Sequence, residues 1–258
     1  MIRLFLLAIA FLCLAAGPAA AHPEDEFCTV DGGMDPALCL ALQEMDRPAN
    51  SAASGDDYTE TETIDFERPA METLALYVKI GVQHILPGGL DHILFVLAMF
   101  FSTRRLRPLL IQVSAFTVAH TITLGLVAAG VFAPPASVVE PLIAATIALV
   151  AIENLFFKDM TRWRPLVVFA FGLIHGMGFA GFFGSLGLPD GQFWSALIGF
   201  NIGVEVGQLS VVALAALLLW PVRRRISETL YRRAIVWPAS GLIGFIGAYW
   251  AIERVLAG

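Results

Sequence analysis

The sequence predicts an all-α fold: a polytopic membrane helix bundle of about six transmembrane helices behind a cleaved signal peptide. Three observations predict it. Hydrophobic residues make up 57% of the 258 residues and charged residues only 15%, against about 25% charged in soluble domains. Apolar stretches near the roughly 20 residues that cross a bilayer recur after residue 74. The basic residues between them fall in alternate loops, as a membrane topology requires. The net charge of −6 averages an acidic N-terminal region with these basic loops. Neither part resembles a nucleic-acid surface.

The chain opens with Met1-Ile2-Arg3, an apolar run from Leu4 to Ala16, and Ala19-Ala20-Ala21. That order of a positive start, a short apolar core and small residues reads as a signal peptide over residues 1–21. An uncleaved anchor is the alternative. Residues 22–73 form an acidic segment, expected to be periplasmic and partly disordered. It contains Glu24-Asp25-Glu26, Asp56-Asp57, Glu60 and Glu62, and a short helix is possible between Pro36 and Met45. Cys28 and Cys39 lie within it, and an oxidising periplasm would pair them in a disulfide.

A six-helix transmembrane domain is expected over 74–258, with spans at Leu74–Phe101, Pro108–Phe132, Ser137–Phe157, Pro165–Leu186, Phe193–Trp220 and Ala234–Leu256. Arg104, Arg105 and Arg107 follow the first span; Lys158, Arg162 and Arg164 follow the third. Arg223, Arg224, Arg225, Arg232 and Arg233 follow the fifth, while the loops at 133–136 and 187–191 hold no Lys or Arg. The positive-inside rule makes the basic loops cytoplasmic. The mature N-terminus and the C-terminus are then periplasmic, in a bacterial-type inner membrane. A cleaved signal peptide requires the same orientation.

Ionisable side chains inside hydrocarbon are costly and mark function, at about 2.5–3.5 kcal/mol for an Asp on insertion scales. This chain places several there. His84, Asp91 and His92 interrupt the first span, His120 the second, His175 the fourth and Glu205 the fifth. Lys79 and Arg254 fall near outer span ends, where long side chains snorkel. No base stands in sequence at the level of the acids. Imidazoles and carboxylates without internal bases suit a cation, and His84, Asp91, His92, His120, His175 and Glu205 are the candidate metal ligands. Glu153, Asn201 and Gln208 are candidate accessory residues; Asn201, Glu205 and Gln208 share one helical face.

The first span poses a geometric problem. His84 and His92 are eight residues apart, about 12 Å along a straight helix. One ion reaches both only if the helix breaks, and Pro87-Gly88-Gly89 stands between them. Broken helices recur at ion sites in transporters. A simple kink with close glycine packing is the other reading. The remaining residues also have structural alternatives. His120 can bond across helices. His175, in Gly172-Leu173-Ile174-His175-Gly176, can serve a close helix contact. Glu153-Asn154 can cap the third span. Trp163, Trp194, Trp220, Trp237 and Trp250 read as interface anchors.

The segment His84-Ile85, Gly88, Asp91-His92, Leu94-Phe95 resembles the His/Asp-His signature of HupE/UreJ-type membrane proteins. The resemblance continues in Ala115-Phe116-Thr117, Ala119-His120-Thr121 and Glu153-Asn154-Leu155. It resumes in Phe171-Gly172-Leu173, His175-Gly176, Phe200-Asn201 and Gly203-Val204-Glu205. It covers most of the chain after about residue 74 and is similar to the second branch of that family. It implies uptake of nickel or cobalt, as for hydrogenase and urease. The six residues between His84 and Asp91-His92 depart from the shorter spacing of nickel permeases, so the metal's identity stays open.

The expected function is therefore inner-membrane transport of a divalent transition-metal ion such as nickel or cobalt, which imidazole with carboxylate suits. The metal is cargo or bound ion, the bilayer is the other partner, and no nucleic acid is expected. No Walker motif is present, so transport would be facilitated or proton-coupled. An intramembrane zinc-dependent hydrolase stays open as an alternative, with a carboxylate activating water. So does a metal-binding accessory protein. No Gly-x-Ser-x-Gly nucleophile motif favours a triad hydrolase.

Overall fold

The computed structural model describes residues 69–157, 162–179 and 191–257. The signal peptide, nearly all of the acidic segment and the Cys28–Cys39 pair lie outside these residues. Among the described residues every regular element is helical. They are α1 (Ala70–Ile85), α2 (Leu90–Ser102), α3 (Leu106–Ala128), α4 (Ala136–Phe156), α5 (Arg164–Gly178), α6 (Phe193–Arg225), the short α7 (Glu228–Tyr231) and α8 (Trp237–Ala257). A π-helical turn, Arg232–Val236, joins α7 to α8.

Four helical units are long and apolar enough to cross a membrane: Leu106–Ala128, Ala136–Phe156, Phe193–Arg225 and Glu228–Ala257. The pair α1–α2 can make a fifth. The span expected at 165–186 corresponds to α5, a shorter apolar helix that ends at Gly178; residues 180–186 of that span lie outside the described residues. Large apolar side chains such as Ile111, Val118, Leu149, Ile202, Leu217 and Phe245 point outward. A bundle that shows apolar residues on its outside while burying His, Asn, Gln and Arg suits lipid as its solvent.

The first expected span is not one continuous helix. α1 and α2 meet at a 74° bend. Pro87 cannot donate to a helical ladder, and it pushes the residue before it into an extended conformation. Leu86 accordingly sits at φ −126° and ψ 110°, and the Leu86–Pro87 peptide is cis. The chain then folds back so tightly that a side chain on Gly89 would collide with the carbonyl oxygen of His84. Thus one proline and one glycine turn a span into two half-length helices.

α2 is the centre of the bundle. Every residue from His92 to Phe101 is buried, as expected of a helix apolar all round. Around it three helix pairs pack most closely: α1 with α6, α3 with α5, and α4 with α8. Small residues permit this approach. A side chain on Gly203 of α6 would overlap the carbonyl of Val78 on α1, and one on Gly176 of α5 would overlap the carbonyl of His120 on α3.

The basic end of the bundle is ordered by its own contacts. Arg104 pairs with Glu228, and Arg223 donates to the Arg104 carbonyl at 3.2 Å. The expected 223–233 loop is mostly helical. α6 runs to Arg225, and Ser227 caps α7 by accepting from the Leu230 amide at 3.3 Å. At 33 residues, or about 50 Å, α6 exceeds the roughly 30 Å of hydrocarbon.

Candidate metal centre

The bend after α1 does what a straight helix cannot. It returns the chain so that His84, in the last turn of α1, faces His92, in the first turn of α2, with ring centroids 4.8 Å apart. His120 of α3 approaches His92 to 5.7 Å and His175 of α5 to 5.2 Å between centroids. One ring nitrogen from each of His84, His92 and His120 lies within 4.8 Å of the others. Four imidazoles from four helices therefore meet, and three of them have the spacing of a metal-ligand group.

The surroundings are aromatic. Phe179 lies 3.9 Å from His84 and stacks on Phe200 at 4.9 Å. Phe95 and Phe116 each stand 5.0 Å from His175. Each imidazole keeps one buried nitrogen with no hydrogen-bond partner: Nε2 of His84, His92 and His120, and Nδ1 of His175. A buried polar atom without a partner costs about 1–3 kcal/mol. The trio of His84, His92 and His120 could hold a cation, and borderline-soft divalent metals match imidazole nitrogen.

Two of the rings are held from behind. His120 Nδ1 lies 3.0 Å from Asn201 Oδ1, and the Asn201 amide donates to the Leu197 carbonyl at 2.8 Å. His175 Nε2 lies 2.9 Å from Thr146 Oγ1, whose hydroxyl donates to the Ile143 carbonyl at 2.7 Å. Asn201 was an accessory candidate from sequence. Thr146 is not legible in the sequence: one threonine in the apolar run of α4 carries no signal until the fold places it against His175.

The carboxylates stand elsewhere. Asp91 faces Arg254 of α8, which donates to Oδ2 at 3.0 Å and to Oδ1 at 3.2 Å. Arg254 also donates to the Glu140 carbonyl at 3.2 Å. The expectation that no base accompanies the membrane acids is therefore corrected: the base comes from the last helix, 163 residues away. Arg254 turns inward to a carboxylate rather than snorkelling to the surface. Glu205 is also apart from the imidazole trio and accepts a 2.7 Å hydrogen bond from Ser114. Gln208 is buried and accepts from Thr117 at 3.4 Å, its own amide nitrogen left without a partner.

Glu153 belongs to a different cluster. It pairs at 3.0 Å with Arg164, whose side chain is only 3% exposed. Arg164 also donates to Gln112 at 3.2 Å and to Asn154 at 3.3 Å. Asn154 donates in turn to the Ala98 carbonyl at 2.8 Å and to Ser240 at 3.3 Å. Arg164, expected in a basic loop, is instead the first residue of α5 and ties five helices together at the basic end.

The family model described as HupE / UreJ protein matches residues 60–254. No curated protein and no solved structure matches the chain. With most of its length inside the family match, the chain belongs to the HupE / UreJ family.

Proposed function

We propose that this HupE / UreJ protein carries a divalent transition-metal ion, nickel, cobalt or one of similar chemistry, across an inner membrane. The observation that carries this reading is the buried cluster at the helix break, where four imidazoles each keep one nitrogen without a partner. His84, His92 and His120 supply the close ligand set, and His175 stands beside His92 as a fourth donor. The carboxylates are engaged outside this set: Asp91, next to His92 in the chain, pairs with Arg254, and Glu205 accepts from Ser114.

Charge suits passage rather than storage. The imidazoles are neutral ligands, and Asp91 is matched by Arg254, so the site cancels little of a divalent charge. Conduction requires binding strong enough to admit an ion and weak enough to release it. In this reading the basic end of the bundle faces the cytoplasm, and the mature N-terminus and the C-terminus face the periplasm. The 74° break sets the ligands at a discontinuity in a span, a placement that recurs in carriers.

A three-imidazole set is also that of some catalytic zinc centres, so an intramembrane metalloenzyme is the second reading. One experiment separates the two. Purified protein is reconstituted into vesicles holding a metal indicator, and Ni²⁺ or Co²⁺ is added outside. A carrier fills the vesicles faster than empty controls, and His92→Ala removes the difference. If wild-type vesicles fill no faster than controls while one ion per chain stays bound, transport is wrong and a resident metal, in an enzyme or an accessory protein, takes its place.

A further inference from the structure

We infer that Asn201 and Thr146 are positioning residues that fix the tautomers of His120 and His175, so that one nitrogen of each is kept as a lone pair for a cation before it arrives. This rests on the imidazole cluster being the cation site.

The assignment follows from donors and acceptors. The Asn201 amide nitrogen donates to the Leu197 carbonyl at 2.8 Å, which fixes the orientation of the group. It leaves Oδ1, a pure acceptor, 3.0 Å from His120 Nδ1. That ring nitrogen must carry the hydrogen. A neutral imidazole has only one N–H, so Nε2 of His120 is a lone pair. Thr146 has one hydroxyl hydrogen and gives it to the Ile143 carbonyl at 2.7 Å. Its oxygen then accepts from His175 Nε2 at 2.9 Å, and Nδ1 of His175 is the lone pair.

The two nitrogens left over by this logic, His120 Nε2 and His175 Nδ1, are the two that have no partner in the protein. The reverse tautomer of His120 would set a lone pair against the Asn201 oxygen and bury an N–H with no acceptor. Metals bind the unprotonated nitrogen, and the hydrogen bond on the far nitrogen decides which one that is. The division of labour among helices is clean. α1, α2, α3 and α5 bring the imidazoles, while α4 and α6 bring the residues that orient two of them.

The test uses the full chain in nanodiscs, labelled with ¹⁵N-histidine and stripped of metal. Ring ¹⁵N spectra, assigned with His120→Gln and His175→Gln, should show Nδ1–H for His120 and Nε2–H for His175. Asn201→Leu and Thr146→Val should mix the tautomers of their own histidine and weaken Co²⁺ binding by about 10–100-fold. Thr146→Ser keeps the hydroxyl and should keep both the tautomer and the affinity. Reversed tautomers in the metal-free wild type would overturn the assignment. So would folded Asn201→Leu and Thr146→Val proteins with unchanged spectra and affinity. Failure of Co²⁺ to bind the wild type overturns the cation-site reading separately, whatever the metal-free spectra show.

Discussion

Two buried polar clusters lie eight residues apart along α3, about 12 Å on an ideal helix, and they are built on opposite plans. Around Arg164, the guanidinium has Glu153, Gln112 and Asn154, and Asn154 has Ala98 and Ser240. Charge meets charge and donors meet acceptors. Around His92 none of the four imidazoles has an ion-pair partner among the described residues, and four ring nitrogens are buried without partners. A saturated cluster holds helices together and needs nothing more. An unsaturated one costs stability when empty, and the proposed cation would supply the missing partners. Burial of polar residues in a membrane bundle is therefore not one signal, and the count of unmet partners tells the two kinds apart.

The sharpest way to break this contrast is to replace one central residue of each cluster with leucine. Arg164→Leu leaves Glu153 without its cation, and should destabilise the fold by about 3–5 kcal/mol, read as a large shift of the unfolding midpoint in detergent. His92→Leu removes a nitrogen that has no protein partner and roughly keeps the volume. It should unfold within about 1.5 kcal/mol of wild type while Ni²⁺ binding is lost by more than about 100-fold, beyond what loss of a supporting residue costs. Equal destabilisation by the two would mean that the histidines are structural.

A smaller effect is expected where packing and ligand placement meet. Gly176→Ala pushes a methyl group toward the His120 carbonyl and the Thr123 hydroxyl. Overpacking of this kind costs about 1–3 kcal/mol. It should also weaken metal binding, because His120 and His175 lie on the two helices forced apart. Normal affinity in a destabilised Gly176→Ala protein would show that the α3–α5 contact does not set the site.

The last effect concerns Asp91 and Arg254, at the opposite ends of α2 and α8 from the residues that the Arg164 cluster contacts. Asp91 and Arg254 are partly exposed, at 24% and 21% of their side chains, and a hydrogen bond to a charged group contributes about 1.5–3 kcal/mol. Asp91→Asn and Arg254→Gln should each lose about that much or less, and the double variant should lose less than the sum. Additive losses would mean that the pair is not coupled. Metal titration of the same proteins tells whether Asp91 acts through Arg254 or on the ion directly. Loss of affinity in Asp91→Asn but not in Arg254→Gln points to the ion.

The sequence by itself determined the fold class, most of the helix positions and which histidines stand inside the bundle. Apolar length and the positions of Arg, Pro and Gly are local properties, and helical hydrogen bonds close within a few residues. Pro87-Gly88-Gly89 showed where the first span could break, and the four histidines stood out because imidazole in a greasy run is costly. What the tertiary structure decided was who meets whom. The break brings His84 onto His92. The last helix supplies Arg254 to Asp91. Thr146 lies behind His175, and Glu205 turns to Ser114 instead of the imidazoles. Each of these depends on how helices far apart in sequence rotate and how closely glycines let them approach. No period or motif within a single helix encodes that.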